Sequence, residues 1–144
     1  MRSLRFKLRV KYVLGFVLDN KMERIALIFK NRPDFLAGKW NALGGKVEEG
    51  ETEKEAVKRE VEEESGLVIE EKDWQPVGVI QDNKDKEVDE FKVDIFYALT
   101  NDISKAKTLT DEEVEVFYIS DVLKKDNLTD HLPQIISTIL KGYK

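Results

Sequence analysis

The stretch from Gly44 to Leu67, GGKVEEGETEKEAVKREVEEESGL, admits few local structures. Thr52 followed by Glu55 three residues on is a capping box, so the spacing predicts a helix from about Glu53, with Gly66 as its C-terminal cap. A loop opened by the paired glycines Gly44-Gly45 thus runs directly into that helix. On a wheel of ~100° per residue, Glu60, Glu63 and Glu64 fall within an arc of ~100°, bordered by Val57 and Val61. Like charges at i,i+4, such as Glu60 and Glu64, cost a helix a few tenths of a kcal/mol, and an adjoining apolar stripe adds desolvation. A hard divalent cation with oxygen ligands, Mg²⁺ or Mn²⁺, offsets that cost by turning mutual repulsion into shared attraction. The alternative is a solvated acidic helix, balanced by Lys54, Lys58 and Arg59.

The rest of the composition narrows the function classes. A chain of 144 residues reads as one domain over 1–144, able to bury roughly two-thirds of its unfolded surface in a single core. With no Cys, disulfides, thiolate metal sites and Cys nucleophiles are excluded. The lack of an apolar run near ~18 residues or a signal-peptide pattern predicts a soluble, cytoplasmic protein with no membrane partner. A net charge of −5 argues against a nucleic-acid polymer as partner. The basic N-terminus (Arg2, Arg5, Lys7, Arg9, Lys11) alternates with Leu4, Phe6, Leu8 and Val10 and reads as the solvated face of a strand.

Along the chain, Val10 to Leu18 is apolar on both alternating faces and predicts a central strand. Asp19-Asn20-Lys21 supplies a turn, and Arg24 to Phe29 returns as a second buried strand. Lys30 to Lys39, with Pro33 and Gly38, is a loop that leads to Trp40-Asn41-Ala42-Leu43 and the glycines. After the helix, Leu67 to Ile69 and Trp74 to Gln81 read as strand pieces, Asp82 to Glu90 as a charged connection and Phe91 to Leu99 as a strand. A last strand is expected over Val114 to Ile119, with a helical turn near Ser120 to Lys124. Leu132, Ile135, Ile136, Ile139 and Leu140 share one face of a final helix, with Pro133 in its first turn and Gly142 past its end. This order predicts an α/β fold, a mixed sheet carrying helices.

Counted from Gly45, five residues lead to Glu51 and seven more to Arg59-Glu60, and Val61, Glu63, Glu64, Gly66 and Leu67 complete the series. The pattern resembles the Nudix box, G-x5-E-x7-R-E-U-x-E-E-x-G-U with U apolar, at every defined position. The resemblance implies an α/β/α sandwich, and hydrolysis of a nucleoside diphosphate linked to another moiety by metal-assisted attack of water on phosphorus. It implies Glu60, Glu64 and the carbonyl of Gly44 as metal ligands, and Glu63 as a ligand or proton acceptor. Arg59 would orient a box carboxylate and Glu51 would tie the loop to the helix through Arg59, the alternative for Arg59 being an ordinary ion pair with Glu55 or Glu63.

Markers of ADP-ribose, dinucleoside polyphosphate and NADH hydrolases are not found downstream of the box, where Asp82 to Lys86 stand. Trp40-Asn41-x-x-Gly44-Gly45-Lys46-Val47 instead resembles the WNxxGGKV opening of oxidised purine nucleoside triphosphatases, with Leu43 where many Nudix enzymes carry Pro. That resemblance makes Asn41 a reader of the base edge and Trp40, Gly45 and Lys46 further substrate contacts. The alternatives are a strand-end Asn bonding its own loop and a core Trp. The same family places an acidic pair before its last helix; here Asp130 is followed by His131, a surface residue at the helix start. Some members carry an essential Glu opposite the box helix, and Glu112 is the candidate by order along the chain, with Glu113 dispensable and a polar turn the alternative.

The sequence therefore predicts a Mg²⁺- or Mn²⁺-dependent pyrophosphohydrolase, monomer or homodimer, that cleaves a small nucleoside triphosphate such as an oxidised purine dNTP to monophosphate and pyrophosphate. A nucleotide-sugar or dinucleotide pyrophosphatase, and a non-catalytic nucleotide-sensing domain, are the rival readings.

Overall fold

The computed structural model describes residues 9–82 and 90–142, so the expectations for residues 1–8 and for most of the charged connection lie outside the described residues. Strands β1 (Arg9–Asp19) and β2 (Arg24–Phe29) form the expected hairpin. Asp19 Oδ1 closes the turn by accepting from the backbone N–H groups of Glu23 and Arg24, both at 2.8 Å. The two strands pair only near the turn, Val17 with Ala26 and Leu18 with Ile25. Beyond it the same edge of β1 takes β4 (Leu43–Lys46), and β2 takes β3 (Trp40–Asn41). The glycine-bearing segment is thereby inserted between the two strands of the hairpin.

On its other edge β1 pairs in parallel with β6 (Glu90–Thr100), Arg9 opposite Glu90 through Asp19 opposite Thr100. β5 (Gln75–Asp82) runs antiparallel to β6 on the outside, with a register shift at Pro76, a residue tolerated on an edge strand. β7 (Val114–Tyr118) pairs with the free edge of β2. Among the described residues this is one mixed sheet of seven strands.

Both faces are covered, which is why β1 and β2 are apolar on both sides. One face packs Val13, Val17, Ala26, Ile28, Leu43, Phe96 and Trp74 against Ala56, Val57 and Val61 of α1 (Glu53–Ser65). The other packs Phe16, Leu18, Ile25, Leu27 and Ile95 against Leu132, Ile136 and Ile139 of α3 (Leu132–Leu140), with α2 (Ile119–Val122) alongside. Each fully buried Val or Ile contributes about 1.5–3 kcal/mol. The result is a sheet between helical layers.

Helix α1 begins and ends where its caps dictate. Thr52 Oγ1 accepts from Glu55 N–H and the Glu55 carboxylate from Thr52 N–H, while Gly66 adopts the left-handed conformation with φ of 79°. Gly15 lets this helix sit close to the sheet: a Cβ there would lie 2.8 Å from Val57 Cγ2 and 2.9 Å from the Trp74 ring.

One expectation is corrected. Leu67 to Ile69 joins no strand; Leu67 and Ile69 are buried with α1 and Val68 is exposed, after which Glu71–Asp73 forms a 3₁₀ turn. The alternation that suggests a strand reflects core packing along an extended linker.

Candidate active site

Glu60 and Glu64 project from α1 toward β4. The fit is close at Gly45, where a Cβ would lie 2.5 Å from Glu60 Oε2, so any larger residue would displace the carboxylate. At Gly44, with φ of +152°, a Cβ would meet the Val13 carbonyl oxygen, and the Gly44 N–H donates to Glu64 Oε1 at 2.9 Å. The two glycines thus bring strand backbone directly against the two carboxylates.

Glu64 is buried, and burial first, then the charges of Glu60 and Glu112, push its carboxyl up to about 8 against the Gly44 N–H and Lys30. Burial, and then the charges of Glu63 and Glu51, also raise the Glu60 carboxyl, although Arg59 Nη1 lies 2.7 Å from Glu60 Oε1 and opposes the shift. Glu63 stands further out, its side chain 57% exposed, and faces Arg59 Nη1 at 3.3 Å.

Arg59 organises the loop. Its Nε and Nη2 donate to the two carboxylate oxygens of Glu51 at 2.6 and 3.0 Å, and Nη2 also donates to the Lys46 carbonyl at 3.0 Å. A two-bonded guanidinium–carboxylate pair is directional as well as strong. The hydrogen bond from Arg59 holds Glu51 below its ordinary range against burial, and Glu51 Oε1 also accepts from Glu48 N–H at 3.0 Å. Loop and helix are clasped at one point, with the Lys46 side chain itself exposed.

Glu112, just before β7, is buried at 5% exposure, while its neighbour Glu113 is exposed. Lys30 Nζ donates to Glu112 Oε1 at 2.8 Å and Asn31 N–H to Oε2 at 2.7 Å. Burial pushes the Glu112 carboxyl up, but Lys30 and Asn31 outweigh it and leave the group below its ordinary value. The charges of both Lys30 and Glu112 are felt at Glu64, which brings this pair to the same site as the box carboxylates. Arg32 with Asp111, and Asn31 Nδ2 with the Asp111 carbonyl, join the two loops beside it.

Trp40 is buried on the α3 side, its ring packed at 5.0 Å from Phe29 and 4.8 Å from Phe117. Asn41 lies half-buried on the opposite face, across from Ile28. Its Oδ1 accepts from Ala42 N–H at 2.8 Å and from the Thr129 hydroxyl at 2.9 Å. Asp130 follows Thr129 and is exposed, as is His131 at the cap of α3.

The residues singled out in the sequence therefore fall in two groups. Glu60, Glu64, Gly44, Gly45, Arg59 and Glu51 form one contiguous construction, beside which the fold sets Glu112; Asn41 lies on the short strand before β4, and Asp130 stands in the turn before α3. Lys30 and Thr129 escaped sequence reasoning. Each acts through a partner more than eighty residues away, and no local pattern marks either one.

Among the described residues no three Asp, Glu, His or Cys side chains already converge as a metal cage. The donor set still fits a hard divalent cation: two desolvated, mutually repelling carboxylates whose raised pKa values an ion would reverse. Arg59 holds Glu60 and Glu63 in the meantime.

A NUDIX domain family model matches residues 8–137. The chain belongs to the NUDIX domain family. Over 58 residues it is 50% identical to the mouse protein "Oxidized purine nucleoside triphosphate hydrolase", a match covering 40% of this chain and 35% of that one. It is 55% identical over 38 residues to "Putative 8-oxo-dGTP diphosphatase 2" of Mycobacterium tuberculosis, covering 26% of this chain and 27% of the other. These matches span about a third of the length of the curated relatives. The fold is that of the crystal structure of the MutT NUDIX hydrolase from Burkholderia pseudomallei, with a TM-score of 0.73 at 21% identity over 92% of this chain and 99% of that one.

Proposed function

We propose that this chain is a divalent-metal-dependent pyrophosphohydrolase of nucleoside triphosphates, oxidised purine deoxynucleotides foremost, yielding monophosphate and pyrophosphate. The observation that carries this reading is the pair of desolvated carboxylates, Glu60 and Glu64, seated against the backbone of Gly44-Gly45 within a complete box. The local likeness to the mouse hydrolase spans part of the chain and favours a purine triphosphate.

Glu60, Glu64 and the Gly44 carbonyl would hold Mg²⁺ or Mn²⁺, with Glu63 as a further ligand or proton acceptor. When bound, such an ion supplies charge neutralisation at the phosphates and a lowered pKa for the attacking water. Glu112, held ionised at neutral pH by Lys30 and Asn31, would be the alternative proton acceptor for the attacking water or a ligand to a second ion. Arg59 and Glu51 keep the loop at the distance the phosphates require. Gly45 and Lys46 border the phosphate end, and Asn41 and Asp130 the base end. Trp40, with its ring enclosed by Phe29 and Phe117, contributes by fixing the strand that carries Asn41. The protein acts on small nucleotides in the cytoplasm, as a monomer or homodimer.

The test is a panel of canonical and 8-oxo dNTPs, nucleotide sugars and dinucleotides, assayed with Mg²⁺ and with chelator, products identified by mass. Metal-dependent pyrophosphate from triphosphates is the expected result. Cleavage confined to sugars or dinucleotides, or none at all, would overturn the reading.

A further inference from the structure

Thr129 is buried and its position is set by backbone, because Thr129 N–H donates to the Trp40 carbonyl at 3.0 Å and Trp40 N–H to that of Asn127 at 2.9 Å. Its hydroxyl reaches Asn41 Oδ1 at 2.9 Å, where Ala42 N–H already donates at 2.8 Å. A backbone N–H can only donate, so the atom facing it must be the amide oxygen, and the orientation of the Asn41 amide is fixed without ambiguity. Both acceptor sites of that oxygen are filled. Among the described residues the two buried side-chain polar atoms without a partner are Trp74 Nε1 and Asp94 Oδ2, so Asn41 Nδ2 is not sealed inside the protein.

Asn41 therefore offers a ligand two N–H donors and no acceptor. An Asn that reads adenine does so with both ends of its amide, accepting from the 6-amino group while donating to N7. With its oxygen occupied, Asn41 cannot make that pairing. A 6-oxo purine, which presents an acceptor at the same place, needs only the donors that remain. Asn41 also stands three strand residues before Gly44, roughly 10 Å along the chain, which suits a base at one end and phosphates at the other.

We propose that Thr129 is a positioning residue that locks Asn41 as a donor and thereby sets a preference for 6-oxo over 6-amino purine nucleotides. The proposal rests on the triphosphate reading and on Asn41 facing the base.

The experiment compares kcat/KM for dITP and dATP, which differ at position 6 and in the accompanying proton at N1. Wild type should prefer dITP. Thr129→Val, close in shape but without the hydroxyl, frees one acceptor site on Asn41, and the preference should shrink roughly fivefold, about the worth of one neutral hydrogen bond, through KM for dATP rather than kcat. Thr129→Ser should restore the wild-type ratio. Asn41→Asp, whose second oxygen accepts where Nδ2 donated, should reverse the preference. A wild-type ratio in Thr129→Val, confirmed as folded by circular dichroism, or in Asn41→Asp, would overturn the proposal while leaving the triphosphatase reading in place. Failure of wild type to hydrolyse either triphosphate, with activity on nucleotide sugars or dinucleotides, would remove both.

Discussion

Glu64 and Glu112 are the same residue type at nearly the same exposure, 8% and 5%, and they are driven in opposite directions. Glu64 receives one backbone N–H and lies near two further carboxylates; burial dominates and its carboxyl rises to about 8. Glu112 is buried as well, but Lys30 and Asn31 outweigh the loss of water and hold it below its ordinary value. Burial alone thus does not decide a carboxylate's charge. The pair at β7 is electrostatically complete within the protein, whereas the box pair keeps an uncompensated desolvation cost that the proposed cation would offset.

The largest effect expected from this contrast is on turnover. Glu60→Gln and Glu64→Gln should each lower kcat by at least a hundredfold with the fold intact, because each removes a proposed metal ligand while the amide oxygen still accepts from Arg59 or from the Gly44 N–H. Near-wild-type turnover at saturating Mg²⁺ in either variant would disprove the ligand assignment.

Glu112→Gln should lower kcat ten- to a hundredfold with KM little changed, as for a group acting in the transition state, and Glu113→Gln should alter neither. It should also cost roughly 2–3 kcal/mol of stability by denaturant unfolding, since it leaves Lys30 facing a neutral amide. Glu64→Gln should cost none. Equal stability losses in the two variants would erase the distinction between a satisfied and an unsatisfied carboxylate.

Mg²⁺ at tenfold its Kd should stabilise wild type by about 1.4 kcal/mol, read as a rise in Tm, and the two box variants by much less. Equal shifts in all three proteins would reduce the acidic face to a solvated one.

A further effect concerns pH. In the metal-free protein Glu64 keeps its proton up to about pH 8, while the unfolded chain releases it near the ordinary value of 4.5. The folded state binds more protons in that window, so stability falls as pH rises through it. Glu112 works the other way: its contribution is full above its unfolded value and is lost as pH falls through the lower folded one. Between pH 5 and 8 the Tm of metal-free wild type should fall, and Glu64→Gln should show a shallower decline. A steeper decline in the variant would contradict the assigned burial.

What the sequence made legible was whatever is decided locally. The caps of α1, the β1–β2 turn and the periodicity of α3 depend on residues within a few positions of one another, and they stand where the pattern puts them. The box carries its own spacing, so Arg59 and Glu51, eight residues apart, could be matched before any geometry was known. Leu67 to Ile69 misled because alternation records which side chains are buried, not which backbone is paired. Lys30 with Glu112 and Thr129 with Asn41 join distant segments, and nothing in either segment alone specifies the other.

The parallel ladder between β1 and β6 has a consequence for how the molecule is made. Every one of its eleven residue pairs joins positions roughly eighty apart in the chain, and closing so long a loop delays contact formation relative to hairpins and helices. The whole box lies inside that loop. During synthesis α1 and the β1–β4 pairing can form from the first seventy residues, while the far edge of β1 stays open until β6 has emerged. The acidic helix can thus seat on Val13, Val17 and Leu43 early, and its cover is completed late by Trp74 and Phe96. Until then Val57 and Val61 stay partly uncovered on a helix whose opposite face is charged, and exposed apolar surface of that kind is what makes incomplete chains prone to associate.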